Sequence, residues 1–294
     1  MSAVLAVARR GHRGLFAFAV AMAVLTPVLA VLAVVDARVL LGAPLWFKPL
    51  KFAISLALYA ATLAWMLGQL RERTMQRTAW IVTAAAAIEM AVIVGQAAVG
   101  NRSHYNMDTP LSAALWSVMG VTIVVLWLAT LAVALRFLRE PGRDRVATTA
   151  IRLGLVVALI GLAEGFLMAT AATHTVGAPD GGPGLPLLGW STVGGDLRIA
   201  HFIGMHALQG LPLFAAALAV GHRLDEVTRV RLVQIAAAVW TGLVVLLTWQ
   251  ALRAQPLLAP DALTLAALGA LVALTVPATA GTLAAARPSV PTAA

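Results

Sequence analysis

"LFAFAVAMAVLTPVLAVLAVV", residues 15–35, is an uncharged run of 21 residues. At about 1.5 Å per helical residue it spans roughly 30 Å, the thickness of a bilayer's hydrocarbon core. Arg9, Arg10 and Arg13 precede it, so it imitates a secretory signal. A signal's apolar segment is only about 7–15 residues long. The run therefore reads as a first transmembrane helix, with Pro27 expected to bend it.

The same pattern recurs along the chain. Apolar runs at about 50–70, 79–100, 114–137, 150–173, 199–220, 232–252 and 262–283 bring the expected spans to eight. The 294 residues are 61% hydrophobic and 11% charged, with a mean hydropathy of +0.91. Soluble domains carry roughly 25% charged residues. The expected fold is an all-α polytopic membrane protein, a bundle of eight transmembrane helices forming one integral-membrane domain over residues 1–294. Only the connection between spans five and six is long. The chain resembles bacterial inner-membrane proteins in general style, and no family of known function is identified.

The net charge of +9 does not point to nucleic acid, because the arginines fall in short clusters between apolar runs, as topology requires. Cysteine is absent, which excludes disulfides, zinc–thiolate sites, iron–sulfur clusters and c-type haem attachment.

Alternate inter-span segments are arginine-rich. Arg9, Arg10 and Arg13, then Arg71, Arg73 and Arg77, then Arg136, Arg139, Arg143, Arg145 and Arg152, then Arg223, Arg229 and Arg231, and finally Arg287 all fall on one side, fifteen of the 21 basic residues. Arg38, Lys48, Lys51, Arg102, Arg198 and Arg253 fall on the other. The positive-inside bias places both termini in the cytoplasm of a multi-pass plasma-membrane protein.

Lys48 and Lys51, the only lysines, flank Pro49 at the head of span two on the arginine-poor outer side. Pro49 suits a first helical turn. The lysines read either as interfacial anchors beside Trp46 and Phe47 or as charges serving an acidic partner or anionic ligand.

Acidic partners exist. Glu89 lies in "AAAAIEMAVIVGQ" (84–96), with Gln96 two turns on along the same face. Glu164 lies between Gly161 and Gly165 in "LIGLAEGFLMAT" (159–170), where small residues admit another helix. His206 and Gln209 lie in "AHFIGMHALQGLP" (200–212), where Pro212 leaves the Leu208 carbonyl unbonded at an expected kink. From the rise per residue, Glu164 is about 14 Å, His206 about 10 Å and Glu89 about 16 Å below the outer helix ends. Ionisable groups at such depth cost roughly 2.5–3.5 kcal/mol and face the bundle interior. Glu164 and His206 are expected to face each other across spans five and six. The alternative is that each is satisfied separately by a backbone group.

The outer segments add a polar rim: Asn101, Arg102, His104, Asn106 and Asp108 in "NRSHYNMDTP" (101–110), His174 at the end of span five, and Asp196, Arg198 and His201 before span six. His12 and His222 fall in cytoplasmic segments and read as solvated. "GAPDGGPG" (177–184) lacks a phosphate loop's lysine and reads as a flexible outer loop, a candidate lid.

Several chemistries fit poorly. No G-x-S-x-G motif is present. His201 and His206 share a helix about 140° apart, so they cannot clamp one haem iron. A metal centre would draw on His104, His174, His201 and His206 with Asp108 or Asp196, or on Met205 or Met107 for copper, without a zinc-type helical pair. No cofactor is expected from the residues, although haem or a metal ion stays open. The leading expectation is a proton- or cation-coupled carrier of a small solute with an outward-facing polar site. A metal- or haem-dependent membrane enzyme or redox protein is the alternative, followed by a non-catalytic component of a membrane complex. Lipid and a small solute or ion are the expected partners, with a homo-oligomer open.

Overall fold

The computed structural model describes residues 3–70, 75–139, 142, 144–220 and 224–286. Arg71, Arg73, Arg143, His222, Arg223 and Arg287 lie outside the described residues. The elements run α1 (Ala3–Gly11), α2 (Arg13–Val35), β1 (Val39–Leu40), β2 (Ala43–Pro44), α3 (Phe47–Leu67), α4 (Gln76–Ala98), α5 (Pro110–Arg139), α6 (Arg145–Ala171), β3 (Thr175–Val176), β4 (Gly195–Asp196), α7 (Leu197–Met205), α8 (Ala207–Ala219), α9 (Glu226–Leu252) and α10 (Ala262–Ala284). Among the described residues seven helices are long and apolar enough to cross a membrane, and eight spans result if the bent pair α7–α8 counts as one. Each expected apolar run coincides with a helix or, for the sixth, with that pair. Each strand pair is an antiparallel two-residue ladder.

The chain divides into two compact units. The first comprises Met1–Val133, Leu167–Thr173 and Pro179–Trp190; the second comprises Ala134–Phe166, His174–Ala178 and Ser191–Ala294.

In the first unit α3 packs against α1, α2 and α4. Small residues set the approach: a Cβ on Gly11 would lie 2.0 Å from the Ala64 carbonyl oxygen. Ala79, Ala85 and Ala86 of α4 are buried, and Tyr59 of α3 shares a 2.5 Å hydrogen bond with Thr130 of α5. Pro27 lies inside α2 without interrupting it. His12 is a correction. It is 2% exposed rather than solvated, and its Nδ1 accepts the Leu15 N–H as the N-cap of α2 while the ring meets Trp80 edge-on. Trp46 is buried, and its indole N–H donates to Asp36.

In the second unit a core of Val146 and Ala150 from α6, Leu211 and Ala215 from α8, and Val230, Val233 and Ala237 from α9 joins three helices. Gly161 of α6 and Gly204 of α7 touch: a Cβ on Gly161 would lie 2.5 Å from the Gly204 Cα. Gly161 thus admits the neighbouring helix as expected. The bend of 43° falls between Met205 and Ala207, not at Pro212, which lies inside α8. A side chain from another helix is seated there. Trp240 of α9 fills the notch at Gly210 and donates its indole N–H to the Ile203 carbonyl at 2.7 Å.

Candidate functional site

The two mid-helix glutamates are the focus, and their surroundings are alike. Glu89 of α4 is 5% exposed and Glu164 of α6 is 7% exposed. In the first unit Thr122 of α5 places its Oγ1 2.5 Å from Glu89 Oε1 and 3.0 Å from both the Val118 and Met119 carbonyls. In the second, Thr248 of α9 places its Oγ1 2.8 Å from Glu164 Oε1 and 2.8 Å from the Val244 carbonyl. Glu164 Oε2 is buried with no hydrogen-bond partner among the described residues. Each carboxyl is thus joined to a neighbouring helix by one hydroxyl.

Lys48 acts electrostatically on Glu89. Gln96, two turns along from Glu89, is buried, and its amide makes no hydrogen bond among the described residues. Lys48, Glu89, Gln96 and Thr122 are contributed by α3, α4 and α5 of the first unit.

The expected pairing of Glu164 with His206 is not formed as a hydrogen bond. Glu164 bonds to Thr248, and His206 Nδ1 meets Gln209 Oε1 at 3.2 Å with the Phe202 ring 4.4 Å away. His206 stands at the α7–α8 break, where its own carbonyl accepts from Gln209 and Gly210. His201 Nδ1 lies 2.8 Å from the Gly161 carbonyl. A carbonyl only accepts, so Nδ1 carries the proton and Nε2 bears the lone pair of the neutral ring.

The rim residues are tied up locally. Asp196 is 1% exposed and caps α7. It accepts from the Ser191 and Arg198 backbone N–H groups and from the Arg198 guanidinium at 2.6 Å, with His174 Nδ1 3.9 Å away. His174 also meets the Thr175 hydroxyl. His104 packs among Phe52, Tyr105 and Trp116 and meets the Ser103 hydroxyl. Asn106 donates to the Arg102 carbonyl and accepts from the Asp108 N–H, and Asp108 pairs with Arg102. Asn101 is exposed. Among the described residues no three His, Asp or Glu side chains come together as a metal-binding group. His104, His174, His201 and His206 each sit in a different local arrangement.

The arginine-poor segments show why their few cations are tolerated. Arg38 pairs with Asp36 and donates to the Ala98 carbonyl at the end of α4; Arg253 pairs with Asp261 and lies 4.6 Å over the Trp249 ring. Bonding to Arg38 holds the Asp36 carboxyl well below the usual carboxylate range, and Arg253 does the same to Asp261. Lys51 donates to the Leu188 carbonyl at 3.0 Å, pinning the segment Pro179–Trp190 within the first unit. Neither sequence reading of Lys51 named a backbone acceptor.

Thr122, Thr248 and Trp240 escaped the sequence reading. A membrane threonine routinely satisfies itself on the carbonyl of its own preceding turn, so nothing local marks it as a partner. Comparison with family models, curated proteins and solved structures returned no match for this chain.

Proposed function

We propose that this is a carrier: a single integral-membrane domain of eight spans in the plasma membrane, with both termini cytoplasmic, moving a small solute coupled to a proton or cation. One observation carries the reading. Each compact unit buries a mid-helix carboxyl whose hydrogen-bond partner is a hydroxyl on another helix. Such groups are costly in hydrocarbon and mark ion pathways. Glu89 and Gln96 in the first unit, and Glu164, His206 and Gln209 in the second, are the binding groups, with the outer segments forming the rim. A helix broken beside His206 also suits carriers, in which interrupted spans expose backbone groups to a substrate.

The test is reconstitution of the full chain into vesicles enclosing a pH-sensitive dye. Amino acids, small carboxylic acids, amines and sugars are added outside as separate solute panels. The expected result is solute-dependent proton or sodium movement that falls at least tenfold in Glu89→Gln and Glu164→Gln. Absence of any such movement, with both variants matching wild type, would overturn the carrier.

A further inference from the structure

The threonine hydroxyls raise a counting problem. Thr248 Oγ1 has one hydrogen and two neighbours at 2.8 Å, the Val244 carbonyl and Glu164 Oε1. The carbonyl can only accept. If Glu164 is ionised, its oxygen can also only accept, and the single hydrogen must be split between two acceptors, weakening both contacts. If Glu164 Oε1 bears a proton, the problem vanishes. The carboxylic acid donates to Oγ1, and Oγ1 donates to Val244. A proton on Oε2 instead would leave a buried donor without an acceptor, since Oε2 has no partner among the described residues. Thr122 has one neighbour more: with Glu89 ionised its single hydrogen would serve three acceptors, and with Glu89 protonated it is shared only between the Val118 and Met119 carbonyls of its own preceding turn.

We infer that the ion taken by Glu89 and Glu164 is the proton, and that Thr122 and Thr248 are positioning residues that hold each glutamate as a carboxylic acid and reverse their hydrogen bond when it ionises. This deepens the carrier reading and rests on it for its purpose. In the step, the Oε1–H bond breaks and the proton passes to water or to a basic group of the solute. The threonine O–H then turns from its own helix carbonyl to the carboxylate. No electrons are exchanged. A hard metal cation would need several converging oxygens, whereas each carboxyl here meets a single hydroxyl. The charges around the two sites differ. Lys48 of α3 acts on Glu89. For Glu164, α9 presents Thr248, and α7 presents His201, whose ring lies beside Gly165 with Nδ1 committed to Gly161.

The test is infrared difference titration of the full chain in lipid, following the carbonyl band of protonated carboxyls. Glu89→Gln and Glu164→Gln assign each contribution. Acid bands for both residues are expected at neutral pH. Thr248→Val should shift the Glu164 band and move the pH of its disappearance by about one unit or more, a tenfold change in proton affinity. Thr248→Ser should restore both, and Thr122 should behave likewise toward Glu89. Thr→Ala replaces any valine variant that does not fold. Sodium at fixed pH should leave the bands unchanged. Absent acid bands, valine or alanine variants titrating like wild type, or bands lost on adding sodium would each overturn the inference. Bands that behave as stated in vesicles showing no solute-driven proton movement would overturn the carrier and leave the proton sites standing.

Discussion

Gly161 and Gly204 touch backbone to backbone, and a Cβ on either would lie 2.5 Å from the other's Cα. Gly161→Ala should therefore destabilise the folded protein by about 1–3 kcal/mol, the usual cost of overpacking. Gly165→Ala should be mild, since its Cβ would meet only His201 Cε1 at 3.7 Å. At Gly95 and Gly120 nothing lies within 4 Å, so alanine should be neutral or stabilise by up to about 1 kcal/mol. Thermal melting of the four variants in detergent checks the order.

Lys51 and Lys48 should separate. Lys51→Ala removes the donor to the Leu188 carbonyl, worth about 1 kcal/mol at this partly exposed position. Limited proteolysis should then cut within 179–190 several-fold faster. Lys51→Arg should recover part of the protection, and Lys48→Ala should leave cleavage there at the wild-type rate.

Stability should depend on pH through His12. Burial pushes this imidazole below its usual 6.5, and only the neutral ring can accept the Leu15 N–H through Nδ1. A depressed folded value means the stabilisation is complete above about 6.5 and is lost as pH falls through the folded value. Melting temperature should drop between about pH 7 and about pH 5.5. In His12→Asn, which keeps a capping acceptor, that drop should shrink, while His12→Ala should lose about 1 kcal/mol of capping above about pH 6.5, where the wild-type ring is neutral. Asp36 and Asp261, both depressed, act in the same direction in a lower window, below about pH 4.

Reporters fused after Asp144 and after Asp180 should report opposite faces of the membrane. Identical signals would remove the eight-span topology.

The helices were legible because apolar length is a one-dimensional property, and the expected runs end within a few residues of the observed helices. Burial of Glu89 and Glu164 followed from the cost of exposing a carboxyl to lipid. Their partners did not, because Thr122 and Thr248 lie 33 and 84 residues away on helices whose rotation no local pattern encodes. The same applies to the broken helix. Pro212 supplied a local reason for a kink, yet the bend sits at His206, where Trp240 of another helix binds. His12 looked solvated by its place in a polar segment, but the start of α2 gives its Nδ1 an internal partner; the Asp36 partner of Trp46 was likewise not encoded locally.

Trp240 has a mechanical consequence. Its ring wedges at Gly210 on one arm of the break, and its N–H holds the Ile203 carbonyl on the other. An indole that grips both arms acts as a gusset. It braces the 43° angle between α7 and α8 from outside the pair, a support that neither arm's own sequence supplies.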